Sequence, residues 1–135
     1  MDDFNRIMIN RVITPRDLRH YDIFYTLTDD QKGMIFSSIK INRYNKNDVI
    51  ININDEPNYV YVVIAGYLKL KKSYSIEISM GINSVYGIEE IISNKNHKLL
   101  VLAKTTCSVI LIPSEIFKQD MATAYNFFYN SKKLK

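Results

Sequence analysis

Short apolar runs dominate the middle of the chain. Some are apolar throughout and others alternate apolar with polar side chains, and both patterns are typical of β-strands. Five segments show them: residues 59–64, 67–72, 76–80, 99–104 and 107–112. Gly66 lies between the first two segments and predicts a tight corner or a bulge. Together these segments predict the core of a small β-barrel.

Cap and turn signals organise the region before that core. Thr28 and Gln31 have the spacing of a capping box, which predicts a helix over residues 29–38 that packs on a sheet. The asparagine-rich segments 45–48 and 54–57 predict turns. We expect about eight strands in all, including two beside these turns, over residues 41–44 and 49–53.

One segment inside the β-rich region does not fit a strand. Residues 88–93, IEEIIS, predict one or two turns of helix directly after Gly87, and residues 94–96 predict a loop. This segment interrupts the barrel. If the chain binds a small ligand, we expect the ligand at this interruption.

A C-terminal helix is predicted after Pro113, with Ser114 as its N-cap. Four apolar residues at spacings of 4, 3 and 4 form a single seam along that helix: Phe117, Met121, Ala124 and Phe128. The seam either packs on the chain's own barrel or forms an interface, and we expect it to mediate a homodimer. A basic tail, residues 131–135, follows the seam.

The sequence predicts one domain. A chain of 135 residues buries about two thirds of its unfolded surface, and no repeat or linker divides it. We expect an arm or short helix over residues 1–23, with Thr14 and Pro15 as a helix start, a barrel over 24–113, and a helix with its tail over 114–135. The fold class is α+β, with a β-roll or jelly-roll barrel, short N-terminal helices and a C-terminal helix.

Composition and charge narrow the environment of the protein. No apolar run approaches the ~20 residues that cross a bilayer, and the acidic start MDDFNR lacks a signal pattern, so we expect a cytoplasmic protein without membrane contact. The single cysteine, Cys107, is either a buried small side chain or a redox sensor. The net charge of +4 is spread along the chain, which favours a solvated surface over a nucleic-acid interface.

The sequence contains no pattern for catalysis. A metal-dependent cupin needs several histidines and a carboxylate that converge on one metal, but the only histidines are His20 and His97. A nucleophile elbow, a P-loop and a Cys-x-x-Cys motif are also missing from the sequence. We therefore expect no enzyme activity, no metal and no cofactor.

The chain resembles the cyclic-nucleotide-binding domain of the bacterial catabolite activator protein and its FNR-type relatives over about residues 24–121. Tyr44, Lys46 and Asp48 form a YxKxD turn, YVYVVIAGYLKL is similar to the family's strand pair around a glycine, and AKTTCSVILIPSEIFKQ is similar to its closing segment. Gly87 before a short helix also matches. The resemblance implies a regulatory domain with a phosphate-binding cassette at this helix, where backbone amides, a glutamate and an arginine hold the nucleotide.

The cassette departs from the family's pattern at its key side chains. Ile88 stands where the family has the ribose-binding glutamate, and Glu89 and Glu90 come one and two positions late. Counting back from residues 103–105 places His97 at the position of the phosphate-binding arginine. The cassette contains no arginine, and neither histidine nor lysine reproduces a planar guanidinium. We therefore expect no binding of cyclic AMP in the family's usual way.

The candidate ligand residues at this degenerate site are Gly87, Glu89, Glu90, His97 and Lys98. The alternative is that the charged members are exposed loop residues. The apolar residues 99–102 leave open an apolar or peptide-like ligand, or none.

Regulators of this family continue into a helix-turn-helix domain of ~70 residues, whereas only seven residues follow Phe128. We therefore expect no direct DNA reading by this chain alone. The function we expect is that of a regulatory sensor domain, acting through a protein partner or through a DNA-binding domain that this chain lacks. One alternative is a ligand-free interaction and dimerisation module. Another is weak nucleic-acid binding through the basic tail and the LKLKK face.

Overall fold

The computed structural model describes residues 22–24, 27–72 and 76–133. Eight strands in this part of the chain form two antiparallel sheets of four strands, in the orders β1-β8-β3-β6 and β2-β7-β4-β5. The strands are β1 (Lys40–Tyr44), β2 (Val49–Ile51), β3 (Tyr59–Ala65), β4 (Leu68–Lys71), β5 (Glu77–Met80), β6 (Val85–Tyr86), β7 (Leu100–Ala103) and β8 (Cys107–Pro113). The predicted α+β fold with a jelly-roll barrel is confirmed.

The helices are a short 3-10 helix (Asp22–Phe24), α1 (Asp29–Phe36), α2 (Ile88–Ser93), α3 (Ser114–Gln119) and α4 (Met121–Lys133). The capping box of α1 is confirmed, because the backbone N–H of Gln31 donates to Thr28 Oγ1 at 3.2 Å and the N–H of Thr28 donates to Gln31 Oε1 at 2.9 Å. The helix start predicted at Thr14 and Pro15, with the rest of the arm up to residue 21, lies outside the described residues.

Strands β3 and β8 are buried on both faces of their sheet. Val60 pairs with Ile112 and Val62 with Ile110, and these side chains belong to a core shared with the helices. The alternate residues face the second sheet in a separate core, since side chains along a strand point to opposite faces in turn. These alternate side chains are Tyr61, Val63, Cys107, Val109 and Leu111. The helices and the second sheet therefore cover opposite faces of the first sheet.

Asparagines form several of the turns between strands. Four of them adopt left-handed backbone with φ between 54° and 74°: Asn47, Asn54, Asn83 and Asn94. Asparagine tolerates this conformation better than most residues. The first predicted turn is confirmed, and the N–H of Asn45 donates to Asp48 Oδ2 at 2.8 Å. The second begins earlier than predicted, because the N–H of Asn52 donates to Asp55 Oδ2 at 2.8 Å and ends β2 at Ile51.

The predicted N-cap of the C-terminal helix is wrong. Pro113 occupies the cap position and makes no side-chain cap, and Ser114 is the first helical residue. The backbone N–H of Ser114 donates to the carbonyl oxygen of Asn58 at 2.8 Å. A contact from a distant loop therefore satisfies this amide in place of a local cap.

The prediction of one continuous C-terminal helix is also wrong, because Asp120 separates α3 from α4. Its carboxylate accepts hydrogen bonds from the N–H groups of Ala122 at 3.1 Å and Thr123 at 3.3 Å, and from the Thr123 hydroxyl at 2.7 Å. These bonds lower the pKa of Asp120, with the Thr123 hydroxyl as the main cause. Aspartate is a favoured N-cap residue, so it begins a new helix here.

The four residues of the predicted seam consequently lie on two helices and in different environments. Phe117 on α3 and Ala124 on α4 are fully buried, Phe128 is partly buried against the same core, and Met121 is 38% exposed. Phe127, which the seam omits, is fully buried and its ring lies 5.3 Å from that of Phe117. Packing on the barrel therefore takes up much of this surface, while the dimer stays a prediction.

Gly66 and Gly33 give a matched pair of stability predictions. At Gly66 the backbone has φ of +77°, and an added Cβ would collide with the carbonyl oxygen of Thr106 and lie 2.8 Å from Cys107 Cα. We expect Gly66→Ala to lower the free energy of unfolding by at least about 2 kcal/mol.

The control is Gly33→Ala, which lies inside α1 and has no atom within 4 Å of the added Cβ. This change should raise the free energy of unfolding by about 0.5–1 kcal/mol, because alanine favours a helix over glycine. Urea denaturation measures both values. Equal effects at the two positions would contradict the close approach at Gly66.

Candidate functional site

A cavity of about 400 Å³ lies where the barrel, α2 and the end of α4 meet. Its volume is in the range of small-molecule pockets, roughly 300–1,000 Å³. The wall combines apolar side chains from the barrel with charged side chains from the two helices. The members that matter for its chemistry are Leu70, Met80, Val85, Glu89, Glu90 and Lys132.

Gly87 determines how the chain passes from β6 into α2. Its φ is +104°, and an added Cβ would lie 2.9 Å from the carbonyl oxygen of Tyr59 and 3.5 Å from Tyr61 Cδ1. Only glycine satisfies both the backbone angle and the space. Gly87 therefore sets the start of α2 at the cavity wall, which is a structural requirement in addition to any contact with a ligand.

The start of α2 presents two carboxylates and one apolar side chain. Ile88 is 3% exposed and belongs to the core between the first sheet and the helices. The Glu89 carboxylate lies 3.8 Å from the ammonium of Lys132 at the end of α4, and this pair is exposed, so it contributes little to stability. Glu90 is half-buried at the cavity wall. The cavity is therefore mainly apolar with an acidic side.

Comparison with known proteins finds similarity in structure alone. No protein-family model matches the sequence, and no curated protein matches it either. A candidate cyclic-nucleotide-binding protein from Geobacter metallireducens GS-15 superposes with a TM-score of 0.78 at 21% identity, over 90% of this chain and 94% of that one. The sensor domain of the transcriptional regulator DNR from Pseudomonas aeruginosa gives 0.71 at 11% identity, over 86% and 88%. The chain has the cyclic-nucleotide-binding fold.

A third structure with this fold is the regulatory subunit of a cAMP-independent protein kinase A from Trypanosoma brucei, with a TM-score of 0.73 at 16% identity. The match covers 86% of this chain and 43% of the Trypanosoma chain. These similarities confirm the fold expected from the sequence resemblance. The three are thus a candidate binding protein, a sensor domain of a transcriptional regulator and a regulatory subunit of a kinase.

Within this cyclic-nucleotide-binding fold, the cavity adjoins the helix at which the sequence predicts a ligand. Of the five candidate ligand residues, Gly87, Glu89 and Glu90 line the cavity. Their role in binding stays a prediction. His97 and Lys98 are not among the lining residues, and Lys98 is exposed on the loop before β7.

His97 lies on the loop between α2 and β7, and its side chain is in a closed environment. It is 1% exposed, and its ring stacks on that of Tyr86 with centroids 5.8 Å apart. The backbone N–H of His97 donates to the backbone carbonyl oxygen of Asp55 at 2.9 Å. The backbone carbonyl of His97 accepts from the backbone N–H of Asn54 at 2.7 Å. Among the described residues, neither ring nitrogen has a hydrogen-bond partner. Burial lowers the pKa of His97, although the charges of Glu90 and Asp55 oppose this shift.

The other titratable groups near the barrel interior are held neutral. Burial raises the pKa values of Tyr61 and Tyr86, and the nearby carboxylates of Glu90 and Glu89 raise that of Tyr86 further. Cys107 is buried, as one of the two sequence alternatives predicts, and burial raises the pKa of its thiol to about 11. These phenols and this thiol stay protonated at neutral pH.

Two further findings concern the described residues alone. They contain no group of three or more histidine, cysteine, aspartate or glutamate side chains placed to hold a metal ion. In the same part of the chain, the helices are too short or too polar to cross a membrane.

The sequence did not predict that α4 contributes to the cavity. Its contribution consists of Ser131 and Lys132. Lys132 was part of the predicted basic tail, but its ammonium pairs with Glu89 and lies 4.9 Å from the centre of the Phe128 ring. The spacing of Phe128 and Lys132, four residues apart on one helix face, is the only local signal for this contact. On the LKLKK face, Lys69 similarly pairs with Glu77 at 3.9 Å.

His97 predicts a specific dependence of stability on pH. Its pKa in the folded chain is below the value of about 6.5 for an unfolded chain, so the unfolded state binds the extra proton first. Stability is therefore full above pH 6.5 and declines as the pH falls below it, with a slope of up to about 1.4 kcal/mol per pH unit. Urea denaturation between pH 7.5 and 5 measures the slope.

The slope should disappear in His97→Phe, which keeps an aromatic ring against Tyr86 without a titrating group. The comparison variant is His20→Gln, which removes the other histidine of the chain, and loss of the slope in that variant instead would assign the slope to His20. A wild-type midpoint that does not change between pH 7.5 and 5 would show that His97 is not held neutral by burial.

Proposed function

We propose that the chain is a regulatory sensor domain of the type found in regulators related to the catabolite activator protein and FNR, and that it does not bind cyclic AMP in their usual way. The observation that carries the proposal is the position of the cavity, which touches the barrel, α2 and α4 at once. The fold shared with a regulator sensor domain and with a kinase regulatory subunit supports it.

A molecule in this cavity would lie against the C-terminal helix α4. It would contact Glu89 on α2 and Ser131 or Lys132 on α4, and the two helices already meet through the Glu89–Lys132 pair. A ligand that prefers one arrangement of these groups shifts the population of α4 positions toward that arrangement. In this proposal, the position of α4 is the output that a partner or an attached domain reads.

The charges around the cavity argue against cyclic AMP. Its phosphate would meet the carboxylates of Glu89 and Glu90, and like charges repel strongly in a partly buried site. Ile88 is buried in the core and offers no carboxylate to a ribose. His97, at the position expected for the arginine, is buried and neutral. Among the described residues that line the cavity, none is an arginine that could make the bidentate contact of phosphate recognition.

We assign no catalytic role to the site. The cavity-lining Tyr86 has a raised pKa and does not serve as a base at neutral pH. Cys107 faces the core between the sheets as a protonated thiol, whereas a nucleophilic cysteine needs an accessible thiolate. The chemistry of the cavity is suited to binding.

Titration of the ¹⁵N-labelled chain tests this proposal. We expect 1-octanol, as a neutral apolar probe, to shift the amide signals of residues 87–90 and of the last turn of α4 in a saturable manner. Cyclic AMP and cyclic GMP should leave these signals unchanged up to about 1 mM, a ligand concentration at which even binding of −4 kcal/mol is detected.

Two outcomes would contradict the proposal in different ways. Saturable shifts by cyclic AMP at micromolar concentration would restore the usual ligand. If neither the nucleotides nor octanol shift these amide signals, the sensing role is contradicted and an interaction module is favoured.

A second candidate function is that of a ligand-free interaction and dimerisation module, and an exposed stripe on α4 favours it. Met121, Tyr125 and Tyr129 follow one another at intervals of four residues and are 38%, 56% and 64% exposed. Exposed aromatic and methionine side chains are enriched at protein interfaces. Since Phe117 and Ala124 are fully buried, a homodimer through α4 would use this stripe, in which Met121 is the one residue from the predicted seam.

Sedimentation velocity tests the dimer. If the stripe is the interface, Met121→Asp with Tyr125→Asp should convert a dimer into a monomer that remains folded, because both side chains are exposed. The control is Lys118→Asp, an exposed residue on α3 outside the stripe, which should leave the dimer intact. A monomeric wild-type chain at 100 μM, or a double variant that remains dimeric, would contradict this interface.

A further inference from the structure

We propose that the cavity selects an amphipathic organic cation, a molecule with a positively charged amine head and an apolar body. This inference rests on the proposed sensor function and names the class of its ligand. The combination that carries it is an apolar cavity of about 400 Å³ with an unpaired, half-buried carboxylate, that of Glu90, at its wall.

Apolar side chains form much of the cavity wall, and they favour a ligand with an apolar body. Leu70, Met80, Val85 and Ile88 are each less than 9% exposed, and Leu99 is partly buried beside them. These side chains come from β4, β5, β6, the start of α2 and the loop before β7. An apolar group placed against them is removed from water and gains about 25 cal/mol per Å² of apolar area.

The charged groups of the cavity are two carboxylates and one ammonium, from Glu89, Glu90 and Lys132. Lys132 is already engaged, because its ammonium lies 3.8 Å from Glu89 Oε1 and 4.9 Å from the centre of the Phe128 ring. In the described part of the chain, no ion pair or hydrogen bond engages the Glu90 carboxylate. The cavity thus has a net charge of minus one, centred on Glu90.

In the loop between α2 and β7, which the structure describes in full, no basic side chain pairs with Glu90. Lys95 and Lys98 are exposed and outside the cavity wall, and His97 is buried with a lowered pKa. Glu90 and Tyr86 both line the cavity, where burial raises the pKa of Tyr86 and the charge of Glu90 raises it further. A ligand ammonium beside this carboxylate supplies a partner by a charge-assisted hydrogen bond.

The test compares three probes with the same apolar chain and different heads: 1-octylamine, 1-octanol and octanoate. At pH 7 the amine is positive, the alcohol neutral and the acid negative. Dissociation constants come from amide shifts of the ¹⁵N-labelled chain, which also locate the probe. We expect octylamine to bind about tenfold more tightly than octanol, and octanoate to bind more weakly than octanol.

Substitutions at Glu90 separate the charge from the cavity. Glu90→Gln should reduce the preference for the amine over the alcohol from about tenfold to less than about twofold, with octanol affinity unchanged. Glu90→Lys should invert the order and favour octanoate. The matched control is Glu115→Gln, an exposed glutamate on α3 away from the cavity, which should retain the wild-type order. Thermal melts confirm that each variant is folded.

The outcomes distinguish this inference from the proposed function. If octanol binds at the cavity but octylamine binds no better, or if Glu90→Gln leaves the preference intact, the cation selectivity is overturned and the sensor role stands. If octanoate binds most tightly, the charge argument is overturned in the same way. If no probe binds, both proposals fail.

Discussion

Burial of one sheet on both of its faces is the constraint on which the rest of the structure depends. In β3 and β8 successive residues point alternately to the helices and to the second sheet, and both sets are apolar. Neither face of the strand pair can be left in water without losing a large part of the hydrophobic stabilisation. The helices must therefore gather on one face, although their segments come from both ends of the chain and from its middle.

The short helix α2 is one of the helices that cover this face. β6 is an edge strand of two residues, and the chain leaves the sheet at Gly87. Ile88 and Ile91 of α2 then pack into the same core as α3 and α4. Because these two positions face inward, the intervening Glu89 and Glu90 lie at the cavity wall, opposite the end of α4. The cavity is the gap that remains where the helical cover meets the second sheet.

This packing gives residues 88 and 97 a role in the fold itself. Ile88, at the position where the sequence resemblance implies a glutamate, adds to the core, and His97 fills a closed space against Tyr86. Neither position offers a charged contact to a phosphate. The acidic character of the cavity depends on Glu90, which is neither buried in the core nor paired with a lysine in the described residues. The core contacts and the acidic side of the cavity therefore come from different residues of one short helix.

The sequence by itself determined the features that depend on neighbouring residues. The capping box at Thr28, the alternation of the strands, the corner at Gly66 and the helix after Gly87 all follow from local backbone and periodicity rules. Tertiary structure alone decided that the Asn58 carbonyl accepts from the amide of Ser114, that His97 is buried against Tyr86 and does not line the cavity, and that Lys132 reaches Glu89. These contacts join residues far apart in sequence, and periodicity carries no information about which distant groups meet. The helix break at Asp120 falls between these two cases. Its cap uses only neighbouring residues, but the apolar seam that runs across it fits a continuous helix equally well.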